Sequence, residues 1–129
     1  KINHATQTLE YAGAMRPLWM IADKTLTEIK ADKIPIGTRQ KDRNEPIQYT
    51  THRLALNKGD SFYIFTDGYG DQFGGHKDKK YSSSRFRDLL IANAHLDFAT
   101  QEKNIRQEHL NWKGENEQVD DILVIGFTV

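Results

Sequence analysis

The sequence predicts an α+β fold with antiparallel sheets and with helices packed outside them. Five short segments with strand-like apolar patterns occur up to residue 66, two segments with helical spacing follow, and an apolar strand closes the chain. The 129 residues are 37% hydrophobic and 28% charged, which is typical of one globular unit that buries a core.

The first predicted strands are separated by residues that favour turns. Residues 8–12 and 17–21 have strand-type apolar patterns, and we predict that they pair through a turn at residues 13–16. Residues 26–31 alternate apolar and polar side chains, as expected of a strand with one solvent-facing side. The polar stretch 32–46 contains prolines and glycine, which predicts a long loop.

Two further strand regions surround a short polar turn. Residues 47–56 return to a strand pattern, and residues 57–60 form a predicted hairpin-type turn into residues 61–66. This last strand is strongly apolar and is followed directly by Asp67 and Gly68. A carboxylate at the end of a buried strand is costly unless a partner compensates its lost hydration, so Asp67 is a candidate functional residue.

Two helices are predicted between residues 85 and 114. The first covers residues 85–96 and follows three serines at 82–84 that are candidate caps, whereas the second begins after Asp97 and ends at Gly114. Apolar residues at helical spacing predict one buried face for each helix. These residues are Phe86, Leu89, Leu90 and Ala94 in the first helix and Phe98, Ile105 and Trp112 in the second.

The closing strand brings a second acidic pair to the sheet. Residues 121–129 are apolar on both alternating faces, which predicts a strand covered on both sides, and Asp120 and Asp121 stand at its start. If this strand is the antiparallel neighbour of residues 61–66, the end of one strand lies beside the start of the other. Asp67 and Asp120 then converge at one edge of the sheet.

Converging carboxylates suggest a metal site, although a structural role is also open. Two carboxylates with no Arg or Lys between them repel each other at neutral pH, and a hard divalent cation relieves that repulsion. Oxygen ligands without His or Cys favour Mg²⁺ or Mn²⁺. In the alternative, Asp67 forms a turn with Gly68, and Asp120 caps the start of the strand.

Composition excludes several classes of function. Eighteen basic and eighteen acidic residues balance, so nothing indicates a nucleic-acid partner or direct contact with an anionic membrane. The absence of cysteine excludes disulfides, a thiolate zinc site and a cysteine nucleophile, and it fits a cytoplasmic location. No apolar run is long enough to span a membrane, and a start at Lys1 without Met predicts a cut from a longer chain.

Several motifs occur in an order that resembles one enzyme family. Lys58-Gly59-Asp60 precedes an aromatic strand, Thr66-Asp67-Gly68 follows that strand, and Asp120-Asp121-Ile122 precedes the terminal strand. This arrangement resembles the SpoIIE-like, metal-dependent serine/threonine phosphatases, which are relatives of the protein phosphatase 2C fold. Other matching motifs are Tyr11-Ala12-Gly13-Ala14, Pro17-Leu18, Ile34-Pro35-Ile36-Gly37, Asp71-Gln72-Phe73-Gly74-Gly75, Lys79-Lys80-Tyr81, Trp112-Lys113-Gly114 and Gln118-Val119-Asp120-Asp121.

The resemblance implies a fold, a metal centre and a reaction. The fold is an antiparallel β-sandwich flanked by helices, with a two-metal Mn²⁺ or Mg²⁺ centre at one end. By motif match, Asp67 and Asp120 are metal ligands, and Asp121 supports the site from outside it. The reaction is hydrolysis of phosphoserine or phosphothreonine by a metal-activated water, with no catalytic residue beyond the metal ligands.

One family motif is missing from this sequence. Family members carry a further metal-binding Asp in an upstream Gly-Asp motif followed by Gly-His-Gly, and none occurs here. Residues 1–129 are therefore expected to form the C-terminal part of a single SpoIIE-like phosphatase domain, with weak metal binding and little turnover alone. Unpaired sheet edges in such a part also predict a homodimer.

The expected context is a longer bacterial signalling protein. Its substrate would be a phosphorylated regulatory protein, and an upstream sensor region could anchor the parent chain to a membrane. Two alternatives stay open from the sequence. One is a non-catalytic signalling or protein-interaction module that retains the phosphatase-like sheet, and the other is a small β-rich ligand-binding domain with an apolar pocket and carboxylates that do not converge.

Three other sites each have two interpretations. Asp71 follows Asp67 by one helical turn, so it is either a further ligand or a capping, solvent-exposed residue. Gly74 and Gly75 form either a phosphate-binding loop or a connector. Arg16 lies in a turn, where it either meets substrate phosphate or forms a surface ion pair.

Overall fold

The computed structural model of the chain describes residues 1–37 and 47–129. Part of the predicted loop at 32–46, namely residues 38–46, therefore lies outside the described residues. Within the described ranges, nine strands and three helices follow one another. They are β1 (Ile2–Asn3), β2 (Thr8–Tyr11), β3 (Leu18–Ala22), β4 (Thr25–Ile29), β5 (His52–Ala55), β6 (Ser61–Phe65), α1 (Gly68–Asp71), β7 (Phe73–Gly74), β8 (Lys79–Lys80), α2 (Ser83–Asn93), α3 (Phe98–Lys113) and β9 (Val124–Thr128).

Two antiparallel sheets pack against each other. One has three strands in the order β1-β2-β5, and the other has four in the order β4-β3-β6-β9. Leu9 and Leu56 from the first layer join Leu18, Ile29 and Phe62 from the second in one buried cluster. Alternate side chains of each strand point into this core because successive residues face opposite sides of a sheet. The predicted α+β class with antiparallel sheets is confirmed.

The helices cover the other face of the four-stranded sheet. Trp19 and Tyr63 of the sheet form a buried cluster with Tyr69 of α1 and with Phe86 and Leu90 of α2. The predicted inner-face residues of α3 also pack against this cluster, and so do Leu89 and Ala94. Both predicted buried helix faces are therefore confirmed.

The predicted caps at Ser82, Asp97 and Gly114 are confirmed by their hydrogen bonds, whereas α2 begins at Ser83 and ends at Asn93 instead of covering residues 85–96. The hydroxyl of Ser82 accepts a bond from Arg85 N at 3.4 Å, and the carboxylate of Asp97 accepts one from Thr100 N at 3.0 Å. Gly114 has a positive φ of 54°, and its N–H donates to the carbonyl of Leu110 at 3.0 Å. Glycine suits this left-handed position after the last helical turn.

Two predicted strand pairings are wrong. Strands β2 and β3 do not pair with each other, because β2 pairs with β1 and β5, whereas β3 pairs with β4 and β6. Residues 13–16 therefore carry the chain from one sheet to the other. Residues 57–60 also connect the two sheets, because β5 and β6 do not pair with each other. The predicted turn itself is present, since Asp60 N donates to the carbonyl of Asn57 at 3.1 Å. Apolar alternation indicates a strand but does not identify its partner.

The prediction that the closing strand is covered on both sides is also wrong. Strand β9 is an edge strand, and in the described part of the chain it pairs with β6 alone. Ile125 is 47% exposed, and its cross-strand partner Ile64 is 38% exposed. Phe62 and Phe127, further along the same face, are stacked with their ring centroids 5.2 Å apart. The three-stranded sheet is too narrow to cover the whole four-stranded one, so part of this face stays open.

No helix in the described ranges is both long enough and apolar enough to cross a membrane.

The open edge of β9 leads to a prediction about self-association. An unpaired strand edge beside an exposed apolar pair favours pairing with a second chain. We expect the 129-residue chain to form a concentration-dependent dimer in size-exclusion chromatography with light scattering. Ile125→Lys should weaken that dimer because a lysine beside the edge opposes strand pairing.

Ile36→Lys is the matched control for this experiment, since Ile36 is 84% exposed and lies outside the sheets. It should leave the dimer unchanged. A wild-type chain that remains monomeric at high concentration would contradict the homodimer prediction.

Candidate functional site

The two acidic segments meet at one edge of the four-stranded sheet. Phe65 of β6 is opposite Val124 of β9, so Asp67 follows one strand where Asp120 and Asp121 lead into the other. The backbone ladder continues past this pair, because Thr66 N donates to the carbonyl of Leu123 at 3.0 Å. The antiparallel arrangement on which the sequence argument depended is therefore present.

The Thr66 side chain joins the same two segments. Its hydroxyl donates to the carbonyl of Asp121 at 2.8 Å and accepts a bond from Leu123 N at 3.0 Å. A single hydroxyl therefore holds the start of the closing strand against the end of β6. This contact fixes the backbone on both sides of Ile122, directly after the acidic pair.

Gly68 is required by this contact. A Cβ atom at position 68 would lie 2.4 Å from the carbonyl oxygen of Asp121, which is far closer than van der Waals contact allows. The Asp-Gly pair and the Asp-Asp pair of the sequence are thus in direct backbone contact. Glycine is needed here for the close approach of two chain segments rather than for a positive φ.

Asp67 uses its carboxylate for an ion pair. It is the residue before helix α1, where an aspartate often caps the helix, yet its side chain makes no capping bond. Its Oδ2 instead pairs with Nη2 of Arg16, and both side chains are about half exposed. The expectation of carboxylates with no Arg between them is wrong, because Arg16 arrives from 51 residues away in sequence. Of the two interpretations of Arg16, the ion pair is the one present.

Arg16 is presented by a firmly bonded turn. Asp32 N donates to the carbonyl of Gly13 at 2.9 Å, and Met15 N donates to the carbonyl of Asp32 at 2.7 Å. The phenol of Tyr11 passes over Gly13 and donates to the carbonyl of Arg16, so a Cβ at Gly13 would lie 2.0 Å from the phenol oxygen. Burial raises the pKa of Tyr11, which keeps the phenol protonated as a donor.

Asp120 and Asp121 are exposed at the start of the closing strand. The Oδ1 of Asp120 accepts a bond from Asp121 N at 2.7 Å, and Gln118 Nε2 donates to the carbonyl of Asp120 at 2.8 Å. The first of these bonds is the local structural role that the sequence left open for Asp120. It leaves the second carboxylate oxygen, Oδ2, as a candidate ligand atom.

The acidic edge offers oxygen ligands of the type that hard cations prefer, but it offers few of them. Carboxylate oxygens are the ligands that Mg²⁺ and Mn²⁺ prefer. In residues 1–37 and 47–129, no group of three or more His, Cys, Asp or Glu side chains could hold a metal ion. Asp67 and Asp120 have the oxygen donors that such a cation prefers, but the described residues alone do not form a metal site.

Two other candidate sites have structural explanations. The short helix α1 follows Asp67, and Asp71 at its end pairs with Lys80 Nζ at 3.0 Å. Gly75 N donates to the carbonyl of Trp112 at 2.9 Å, so this N–H is not free to bind a phosphate. A Cβ at Gly74 would lie 1.8 Å from the same carbonyl oxygen. The Gly-Gly pair therefore serves close packing against the end of α3.

Sequence reasoning missed a groove between α3 and the β6–β9 pair. Its volume is about 650 Å³, and Phe98, Ile105 and Val124 contribute apolar walls. His109 also lines it, and burial, with a smaller effect from the nearby Lys113 charge, lowers the pKa of its imidazole. The alternative of a small β-rich ligand-binding domain predicts an apolar pocket together with carboxylates that lie far apart. The groove agrees with the first part of that prediction, but the two acidic segments share one edge of the sheet.

Comparisons with known proteins agree with this arrangement. The profile of the family described as Stage II sporulation protein E (SpoIIE) matches residues 1–129, which confirms the family resemblance. No curated protein matches the chain significantly. The SiaA-PP2C domain of Pseudomonas aeruginosa superposes with a TM-score of 0.86 at 28% identity, over 99% of this chain and 49% of that one.

Two more distant structures share the fold. The PP2C phosphatase domain of SpoIIE from Bacillus subtilis, solved with a fragment of its regulatory domain, has a TM-score of 0.68 at 14% identity, over 97% of this chain and 35% of that one. PppA of Pseudomonas aeruginosa has a TM-score of 0.60 at 19% identity, over 92% of this chain and 50% of that one. The chain thus spans about half the length, or less, of the solved structures it matches.

The contact at Gly68 can be tested by adding one methyl group. Gly68→Ala places its Cβ against the carbonyl of Asp121, so we expect a loss of about 1–3 kcal/mol in the free energy of unfolding. The measurement is urea unfolding followed by circular dichroism. Gly70→Ala, in the same helix, is the matched control because its Cβ would lie 3.4 Å from the nearest atom. Equal stability of the two variants would contradict the proposed close contact.

Proposed function

The chain belongs to the Stage II sporulation protein E (SpoIIE) family, and we propose that it forms the C-terminal part of a metal-dependent serine/threonine protein phosphatase domain. The substrate would be a phosphorylated regulatory protein of bacterial signalling, and the location would be cytoplasmic. The observation that carries this proposal is the shared sheet edge of Asp67 and Asp120, which stand in the family's Asp-Gly and Asp-Asp motifs.

Asp67 and Asp120 are the residues that would hold Mn²⁺ or Mg²⁺. When bound, such cations neutralise charge on the phosphoryl oxygens and lower the pKa of a bound water, which supplies the nucleophile. The role of the chain itself is to hold the two acidic segments in position. Thr66 fixes the two backbones relative to each other through bonds of 2.8 and 3.0 Å, and Gly68 lets them approach closely.

Three observations support a larger domain than these 129 residues. The face formed by Ile64 and Ile125 is open, the outer edge of β9 has no pairing strand in the described ranges, and no group of three or more candidate metal ligands occurs there. The chain also spans about half the length of the SiaA-PP2C domain. We propose that the rest of the domain covers the open face and supplies the remaining ligands.

A non-catalytic signalling or interaction module is the second candidate. The observation that favours it is the Arg16–Asp67 ion pair, because Asp67 is one of the two predicted metal ligands and its carboxylate is already paired with a cation. A module without bound metal would keep this pair permanently and retain the sheet as a scaffold. The two candidates differ in whether Asp67 is needed for phosphate release.

The test is the rate at which the full-length protein releases phosphate from p-nitrophenyl phosphate in the presence of Mn²⁺. We expect Asp67→Asn to lower this rate by more than about 100-fold, because residues that merely support a metal ligand are already worth about 10- to 100-fold. Asn has nearly the same shape as Asp, so the effect would report the lost charge.

Asp23→Asn is the matched control. Asp23 is an exposed residue in the turn between β3 and β4, at the opposite end of the sheet, and its positive φ of 47° is tolerated by Asn. This variant should keep the wild-type rate. An Asp67→Asn rate equal to that of wild type would contradict the ligand role, and a wild-type protein without Mn²⁺-dependent release would favour the non-catalytic module.

A further inference from the structure

The Arg16 guanidinium pairs with the carboxylate of Asp67, which is also a ligand of the proposed metal centre. Its Nη2 pairs with Oδ2 of Asp67, the predicted metal ligand at the end of β6. A divalent cation bound by Asp67 would place two positive charges near a third, and these charges repel each other. Both side chains are about half exposed, so the guanidinium can leave Asp67 without crossing a packed core.

The backbone of Arg16 is held by hydrogen bonds, whereas its side chain is about half exposed. Asp32 and Tyr11 form hydrogen bonds to the turn from two sides. The Cα of Arg16 therefore stays at the acidic edge even when the guanidinium changes its partner. An arginine side chain has several rotatable bonds, whereas its guanidinium is a rigid fork of five donors. When the guanidinium leaves Asp67, it remains close to the acidic edge because the backbone of Arg16 is held there.

A phosphoryl group is the natural second partner for such a fork. Its anionic oxygens accept paired, charge-assisted hydrogen bonds from guanidinium, which are stronger than neutral ones. The ion pair with Asp67 places the Arg16 guanidinium at the acidic edge, where the proposed substrate would bind. No other Arg side chain in the described ranges is ion-paired with Asp67.

We propose that Arg16 is a substrate-binding residue of this site. It pairs with Asp67 when no divalent cation is bound, and it contacts the phosphoryl oxygens of the substrate when one is. This inference rests on the proposed phosphatase function. It assigns Arg16 two successive partners, and it predicts that removing its charge shifts metal affinity and phosphate affinity in opposite directions.

The experiment compares Arg16→Gln and Arg16→Lys with wild type in the full-length protein. Isothermal titration calorimetry with MnCl₂ measures metal affinity, and titration of inorganic phosphate into the Mn²⁺-saturated protein measures phosphate affinity. We expect Arg16→Gln to bind Mn²⁺ more tightly, by a factor of about three to ten, because a competing charge is gone. We expect it to bind phosphate about tenfold more weakly, because charge-assisted hydrogen bonds are lost.

Arg16→Lys and one control variant make the measurement more specific. Arg16→Lys keeps the charge but loses the planar fork, so its metal affinity should stay near that of wild type while its phosphate affinity falls. Arg53→Gln is the matched control, since Arg53 pairs with Glu10 at 2.5 Å in the other sheet and its side chain is 73% exposed. It should change neither affinity. Circular dichroism of each variant verifies that it is folded.

The outcomes separate this inference from the proposed function. Tighter Mn²⁺ binding together with weaker phosphate binding in Arg16→Gln supports the inference. Unchanged affinities, or a loss of both together, overturn it, since a purely structural or Asp67-orienting role predicts those results. If the opposite shifts occur but wild type releases no phosphate from p-nitrophenyl phosphate, the binding role of Arg16 stands and the phosphatase proposal fails. A wild-type protein that binds no Mn²⁺ overturns both.

Discussion

The contact between the end of β6 and the start of the closing strand is the constraint on which the rest of the site depends. The hydroxyl of Thr66 bonds to the backbone on both sides of Ile122, bridging more than 50 positions in sequence. Gly68 allows this approach because any side chain at that position would meet the carbonyl of Asp121. With these backbones fixed, two acidic segments that are distant in sequence must share one edge of the sheet.

Much of this arrangement was predictable from local sequence. Apolar periodicity located the helix faces and the six longer strands, but not the two-residue strands β1, β7 and β8. The capping roles of Ser82, Asp97 and Gly114 followed from residue types with specific hydrogen-bonding or backbone properties. The acidic edge was also expected, because antiparallel neighbours bring the end of one strand to the start of the next. These features depend on residues that are close in sequence or on one assumed strand pairing.

The features that sequence reasoning missed depend on contacts between distant residues. Strands β2 and β3 are consecutive but lie in different sheets, and their alternating patterns are the same in either arrangement. The apolar pattern of β9 suggested full burial, whereas the narrow opposite sheet leaves Ile125 exposed. Arg16 reaches Asp67 from a turn that Tyr11 and Asp32 hold in place, and no spacing rule encodes that approach. Its positive charge offsets that of Asp67, for which the sequence left a metal-binding role and a structural role open.

The most direct test of the central claim is the position of Mn²⁺ in crystals of the full-length protein, determined by anomalous diffraction at the manganese edge. The account predicts a peak with one carboxylate oxygen from Asp67 and one from Asp120 at about 2.0–2.2 Å, close to the range for small, hard cations with oxygen ligands. A Mn²⁺-soaked crystal with no peak at this edge, or with a peak that neither carboxylate touches, would contradict the claim.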